Sequence, residues 1–257
     1  MKRVPSVLFC SFTLLLLFSC SIKEDRNECP CILQLNFVEK YKMVQTDVVL
    51  DFHASDGSFR QTKINILKDS IFEFKVPRTD LVVNAYAGDE GLMGQDGLSI
   101  PLYKQCPALY MSSLKVNTKS EKVSADVNPY KNYCNIELCF EDAEKFRYEA
   151  SIRGDYCGYD IDGSSKKGVF LYELNPDTQG RCQVRVPRQE DGSLTLVLKD
   201  TDGYEKNFAI GEYIIESGFD WKSKSLKDIL VEIDYARTML VFKIEGWEKS
   251  VSFDVVI

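Results

Sequence analysis

Cys31-Ile32-Leu33-Gln34-Leu35-Asn36-Phe37 is the clearest structural signal in the chain. Cys31, Leu33, Leu35 and Phe37 alternate with Ile32, Gln34 and Asn36, a period of two with one apolar face. Such a stretch is a half-buried β-strand. Strand-like runs continue on its C-terminal side. Asp47 to His53 closes at Asp56-Gly57, a hairpin dipeptide. Arg60 to Leu67, Ser70 to Val76 and Asp80 to Ala87 follow. Gly88 to Gly97 holds four glycines and reads as a loop, Leu98 to Asn117 is mixed, and Val123 to Val127 reads as the last strand of this unit.

Asn128-Pro129-Tyr130 interrupts the pattern, because the residue before proline is pushed away from helix and toward a turn. A domain boundary is expected there, giving units of 31–128 and 129–257. After the break, Cys134, Ile136, Leu138 and Phe140 alternate cleanly. Phe146 to Arg153 reads as a strand and Gly154 to Lys167 as turn-rich. Val169 to Tyr172, Cys182 to Val186, Ser193 to Leu198, Phe208 to Ile215, Thr238 to Glu245 and Ser250 to Ile257 read as further strands. Leu226, Ile229, Leu230 and Ile233 have helix-like spacing, so Ser225 to Tyr235 is expected to be the one short helix. Many short strands at near-regular spacing predict an all-β fold of two tandem antiparallel sandwiches. No repeat with a period of 20–50 residues is visible.

The N-terminal end is of a different kind. Lys2 and Arg3 precede a largely apolar run, Val7 to Phe18, of signal-peptide size and too short to span a bilayer. Leu17-Phe18-Ser19-Cys20 favours a lipoprotein signal over an ordinary secretory one. Residues 1–19 would be removed, Cys20 would carry the lipid, and 20–30 would form a tether. Several acyl chains anchor far more firmly than the single chain that binds membranes only marginally. Ser21-Ile22-Lys23-Glu24-Asp25 resembles the lipoprotein export signal of Bacteroidetes, which implies transport to the outer face of the outer membrane. A merely solvated tether is the competing reading.

Without the signal about 238 residues remain, with ample apolar content for real cores. The net charge of −7 becomes about −9 once Lys2 and Arg3 are lost, which argues against nucleic acid as a partner. Cys29, Cys31, Cys106, Cys134, Cys139, Cys157 and Cys182 remain as disulfide candidates in an exported chain. Seven is odd, so at least one is free or pairs between molecules. Cys29-Pro30-Cys31 lacks zinc-ligand spacing, and the chain's single histidine, His53, has no partner at ligand spacing.

The search for chemistry is nearly empty. His53 lies in a strand-like run and is expected to face outward. No G-x-S-x-G, HExxH or P-loop occurs. Asp160-Ile161-Asp162-Gly163 and Asp200-Thr201-Asp202-Gly203 read as turns, not calcium loops, because the remaining ligands are missing. Trp221 and Trp247 could form a sugar platform, although packing is the commoner role. Asp69-Ser70-Ile71 matches a short Bacteroidetes O-glycosylation pattern, with Ser70 as the acceptor. No enzyme activity, cofactor or metal is expected.

Several pieces together resemble one family, the FimB-like fimbrial anchor and accessory lipoproteins of Bacteroidales. These are Cys20 with its acidic linker, Cys29 to Phe37, Val48 to Gly57, Phe72 to Pro77 leading to Val82 to Gly88, Lys131 to Ile136, Ile152 to Asp160, and Ile244 to Trp247. The resemblance covers nearly the whole mature chain. It implies two transthyretin-like β-sandwich domains and a role at the base or tip of a surface fimbrium. Fimbrial shaft or accessory subunits would be the partners, and the outer membrane would be gripped through the lipid on Cys20. Subunits of such fimbriae join when a strand of one completes the sheet of the next. Ser250 to Ile257 has a suitable pattern, with completion of its own domain as the preferred reading. A stand-alone surface adhesin or glycan-binding lipoprotein is the alternative function.

Overall fold

The computed structural model describes residues 29–38, 47–67, 70–88, 94–141, 148–234, 239–244 and 247–252, with side chains as far as residue 233. Almost everything described is strand. In the first half, β1 (Cys31–Phe37), β2 (Asp47–Ala54), β3 (Phe59–Asn65), β4 (Ile71–Val76) and β5 (Asp80–Ala87) precede a two-residue β6 (Leu98–Ser99). Then come β7 (Tyr110–Asn117), β8 (Lys122–Val127) and β9 (Tyr130–Lys131). A three-stranded sheet, β4-β1-β8, packs on a five-stranded one, β3-β2-β5-β7-β9. The alternation in β1 works as its pattern requires: Cys31, Leu33, Leu35 and Phe37 are buried, while Ile32, Gln34 and Asn36 lie on the outer face.

The second half holds β10 (Tyr133–Phe140), β11 (Glu149–Tyr159), β12 (Ser165–Leu174), β13 (Arg181–Pro187), β14 (Thr195–Lys199) and β15 (Glu205–Phe208). After these come helix α1 (Ile210–Glu216), β16 (Ile229–Asp234), β17 (Met239–Ile244) and β18 (Trp247–Ser252). Its sheets are β13-β10-β16-β17-β18 and β12-β11-β14-β15. The two halves share one wiring. β1 lies antiparallel to β4 and parallel to β8, just as β10 lies antiparallel to β13 and parallel to β16. These two parallel pairs are the exceptions in otherwise antiparallel sandwiches.

Three local expectations are corrected. Ser225 to Tyr235 is not a helix, because β16 runs through it. Ile229, Val231 and Ile233 are buried in alternation, and pairing with β10 selects the strand for an ambiguous apolar run. The helix lies instead where a strand was expected, with Ile210 and Ile214 on one buried face. Gly211 permits it, since a Cβ there would stand 2.6 Å from the Gly192 carbonyl oxygen. β11 is also longer than the sequence indicates. It runs through Gly154 and Gly158, and a Cβ at Gly158 would sit 2.0 Å from the Leu98 carbonyl oxygen.

That close approach marks a seam. Residues 98–107 lie in the first half of the chain but close one side of the second sandwich. β6 pairs with the end of β11. The amides of Ile100, Tyr103 and Cys106 donate to the carbonyls of Cys157 (2.7 Å), Leu171 (2.7 Å) and Arg185 (2.9 Å). Ile100 and Cys106 are buried in the second core. In the opposite sense, β9 follows the expected boundary yet pairs back onto β7.

The sandwiches meet at a buried joint. Tyr86, Leu98, Leu109, Met111 and Tyr159 form its apolar cluster. The Tyr159 hydroxyl donates to the Asn132 carbonyl and accepts from the Arg188 amide at 3.0 Å. The Arg188 guanidinium donates to the carbonyls of Trp221 and Ser223 (2.8 Å) and stacks over Tyr130. Beside this cluster the β11–β12 turn docks on the outer face of the five-stranded sheet. Asn84 donates to the Ile161 carbonyl at 2.9 Å, and Lys115 pairs with Asp162 at 3.2 Å. Asp51 and His53 lie on that outer face, so His53 points away from the sandwich core as expected, but both are buried and not open to solvent. The His53 ring packs on Phe59 at 4.9 Å. Burial pushes the His53 pKa down and the Asp51 carboxyl up.

Three outcomes are expected. Ile100→Ala should destabilise the second core by about 2–5 kcal/mol in chemical unfolding, although it lies in the first half of the chain. Tyr159→Phe should cost about 1–3 kcal/mol by leaving the Asn132 carbonyl and the Arg188 amide without their bridge. On acidification the unfolded chain takes up the His53 proton near pH 6.5, before the folded chain does, so stability should fall from there down to the lowered folded pKa. The raised Asp51 carboxyl acts in the opposite sense between its folded pKa and 3.8. Denaturant titrations across pH should show the first slope vanish in His53→Gln, the chain's only histidine being then absent.

Candidate functional site

The residues singled out for chemistry are dispersed. Cys20, Lys23, Glu24 and Asp25 lie outside the described residues. Ser70 is exposed at a bend just before β4, and its carbonyl accepts the Phe37 amide at 2.7 Å. All seven described cysteines are free thiols: Cys29 exposed, Cys31, Cys106 and Cys134 buried, Cys139, Cys157 and Cys182 half-buried. Burial raises the pKa of Cys31, Cys106 and Cys134 and pushes Cys182 up to about 12, which makes these poor nucleophiles. Asp160 to Ser164 and Asp200 to Tyr204 are hydrogen-bonded turns. Among the described residues no cluster of His, Cys, Asp and Glu could hold a metal. Trp221 is buried against Phe219, with ring centroids 4.8 Å apart, so it offers no sugar platform. The side chain of Trp247 lies outside the described residues.

A depression of about 610 Å³ on the second sandwich is lined by Tyr148, Glu149, Glu173, Asp177, Lys199 and Glu205 among others. Lys199 stands 3.9 Å from the Glu149 carboxylate. Among the described residues the lining holds no histidine, cysteine or serine–histidine pair that would make a nucleophile.

Among the described residues, one side of the first sandwich is left open. In the first sandwich a three-stranded sheet covers a five-stranded one, so its edges stop short. Val123 and Ala125 of β8 and Leu114 of β7 point toward the core yet are only half-buried. β9 covers β7 only at Tyr110 and Met111. Four residues, 118–121, link β7 to β8, and Thr118 closes that end by donating to the Pro77 and Thr79 carbonyls. On the far side of the sheet, the half-buried Phe72 and Phe74 of β4 are held by Phe37 (5.8 Å) and Phe52 (5.2 Å). There the Arg60 guanidinium of β3 reaches the Lys75 carbonyl of β4 at 3.4 Å.

The outer face of the small sheet is polar and internally bonded. Asn36 donates to Ser124 (2.9 Å) and to Asp126 (3.0 Å), and Lys122 pairs with Glu73 across β1 at 2.8 Å. These contacts tie the three strands together across the outer face, and the outer edge of β8 has no strand partner among the described residues. An unpaired edge of this kind is a template for another strand. Sequence reading located β8 as a strand. It could not show that β8 is an edge, since that depends on which strands meet it.

No protein-family model matches the chain, and no curated protein matches its sequence. Solved structures do match along nearly the whole chain. A candidate polysaccharide-binding protein of Bacteroides thetaiotaomicron superposes with a TM-score of 0.62 at 13% identity, covering 86% of this chain and 98% of that one. The fimbrial anchor protein Mfa2 of Porphyromonas gingivalis gives 0.56 at 14% identity, covering 86% and 99%. A candidate adhesin of Bacteroides ovatus gives 0.55 at 11% identity, covering 90% and 97%. The chain thus has the tandem β-sandwich fold found in Bacteroidales adhesin candidates and in a fimbrial anchor protein.

Proposed function

We propose that the protein is a non-enzymatic anchor or accessory subunit of a surface fimbrium. It is held in the outer membrane by lipid on Cys20, carried to the cell surface by Lys23-Glu24-Asp25, and binds fimbrial subunits through a β-strand edge. The observation that supports this best is the first sandwich, whose β7–β8 side exposes core-facing side chains beside an unpaired strand edge. Backbone hydrogen bonds along such an edge supply affinity, and alternate side chains in the opening supply selectivity. The buried joint suits the same role. Two sandwiches locked by Tyr159, Asn132 and Arg188 transmit a pull from polymer to membrane without a loose hinge. Ser70, exposed at the start of β4, is a suitable acceptor for O-linked glycan on a cell-surface protein.

The reading is tested by capture from outer membranes with wild-type protein and with Cys20→Ala. Wild type is expected in the outer-membrane fraction together with fimbrial subunits. The variant is expected to lose the membrane fraction. Failure of wild type to bring down any fimbrial subunit would falsify the anchoring role, and a variant that stays membrane-bound would remove the lipid from the account.

A further inference from the structure

Two rows of side chains cross the outer face of the five-stranded sheet from β3 to β7 and end on the second unit. In the first row Gln61, Asp51, Asn84 and Ser113 stand in register on β3, β2, β5 and β7. Gln61 donates to Asp51 at 2.9 Å and Ser113 to Asn84 at 2.6 Å, and Asn84 donates to the Ile161 carbonyl of the β11–β12 turn at 2.9 Å. In the second row Phe59, His53, Val82 and Lys115 stand in register, and Lys115 pairs with Asp162 of the same turn at 3.2 Å. Gly163 lets the turn sit close, since a Cβ there would lie 2.3 Å from the Ser113 hydroxyl oxygen. The outer face of an antiparallel sheet is commonly solvated. Here Asp51 and Asn84 are fully buried and His53 is 8% exposed. Asp51 Oδ2 and His53 Nε2 are buried without a hydrogen-bond partner.

We propose that protonation of His53 undocks the β11–β12 turn from the first sandwich, so that this corner of the joint is a latch that opens as pH falls. A charged imidazole needs water or acceptors at both nitrogens, and the buried Nε2 has neither while the turn is docked. The ionisable groups on this face do not supply them. On β2, Asp51 stands two residues away, and burial outweighs its attraction. β3 presents the Phe59 ring to His53, with Lys63 further along and paired with Asp47. β5 presents Val82, flanked by Asp80, which accepts from Asn117, and by the Tyr86 phenol. β7 presents the Lys115 cation, and the turn presents Asp162, already paired with it. The strands are fixed by their ladders, so the turn, fastened by the Asn84 and Lys115 side chains, is the part of the cover free to move. Undocking brings water to His53 and restores its ordinary pKa of 6.5. The undocked form then takes up a proton before the docked form does. Its population should grow by up to about tenfold per pH unit from 6.5 down to the lowered docked pKa. The raised Asp51 carboxyl opposes this between its docked pKa and 3.8. The Tyr159 bridge stays, because its phenol is held far above its ordinary pKa. The joint then passes from two fastenings to one.

The test is an NMR pH titration of the full mature chain, whose single histidine gives a single imidazole signal. That signal is expected to titrate with a midpoint below 6.5. The Asn84 side-chain amide and the backbone amides of Ile161 to Gly163 should shift with the same midpoint. The Arg188 amide, held by the Tyr159 hydroxyl, should not. Asp162→Asn removes the ion pair that fastens the turn. Loss of that negative charge alone would move the imidazole midpoint down, whereas a weakened latch moves it up toward 6.5, and the upward shift is expected. In His53→Gln the turn signals should stay constant over the same range. Should that variant not fold, Asp162→Asn carries the test. The proposal is overturned if the wild-type imidazole titrates at 6.5, if it titrates while the turn signals stay still, or if Asp162→Asn leaves the midpoint unchanged or lowers it. Turn signals that still shift in His53→Gln would overturn it as well. So would an Arg188 amide that moves with the turn, because the whole joint would then be opening.

Discussion

The Tyr159 hydroxyl bridges the Asn132 carbonyl and the Arg188 amide inside the joint between the sandwiches, and the rest of the structure depends on that bridge. All three groups are buried, and each would be costly to leave without a partner. Burial holds the Tyr159 phenol far above its ordinary pKa, so it stays a neutral donor. Among the described residues no carboxylate pairs with Arg188. Its charge is spread over backbone carbonyls and the Tyr130 ring, which ties the β13 end, the Trp221 loop and the chain crossing at Asn132 to one point. A buried cation held by carbonyls is sensitive to geometry, so the joint has one well-defined arrangement.

That arrangement explains the asymmetry of two sandwiches built on one plan. The second borrows residues 98–107 from the first half of the chain and adds α1 and β17 on its other side. Its core is therefore closed, with Ile100 and Cys106 filling the seam. The first sandwich has given up that segment and has a four-residue turn where the second has twenty residues of filling between β15 and β16. Its opening is a consequence of chain allocation. An apolar edge of this kind is a hazard unless it is used, since unpaired strands recruit other chains. The polar lattice on the outer face of β4-β1-β8 confines the hazard to the edge itself.

The resemblance to Bacteroidales fimbrial anchors and the superposition on adhesin candidates and on Mfa2 agree in fold along most of the chain. At 11–14% identity, what persists is the alternation of apolar residues and the order of strands, because β-sandwich cores tolerate wide exchange of side chains at constant volume and pattern. On a fold of this kind the edges and loops are the parts least constrained by the core.

Much of the fold was legible in the sequence. Period-two alternation in Cys31–Phe37 and Tyr133–Phe140, and the Asp-Gly turns, located strands because side-chain direction within a strand is a local property. The signal-like N-terminal run and Cys20 are local patterns too, and they lie outside the described residues. Partnership was not legible. Ile229 to Ile233 fits a helix or a strand until β10 lies beside it, and Gly158 looks like a turn until the Leu98 carbonyl occupies the space of its absent Cβ. His53 reads as an outward residue, and only the packing of Phe59 and its surroundings on that outer face buries it. The candidate site belongs to this second kind. Lys122 to Val127 is a strand by its own sequence, but that it is an edge among the described residues follows from β1 alone lying beside it. Sequence determined which residues prefer to be extended and which face is apolar. Tertiary structure alone decided which strands meet, because hydrogen-bond pairing between residues far apart in the chain leaves no trace in local pattern.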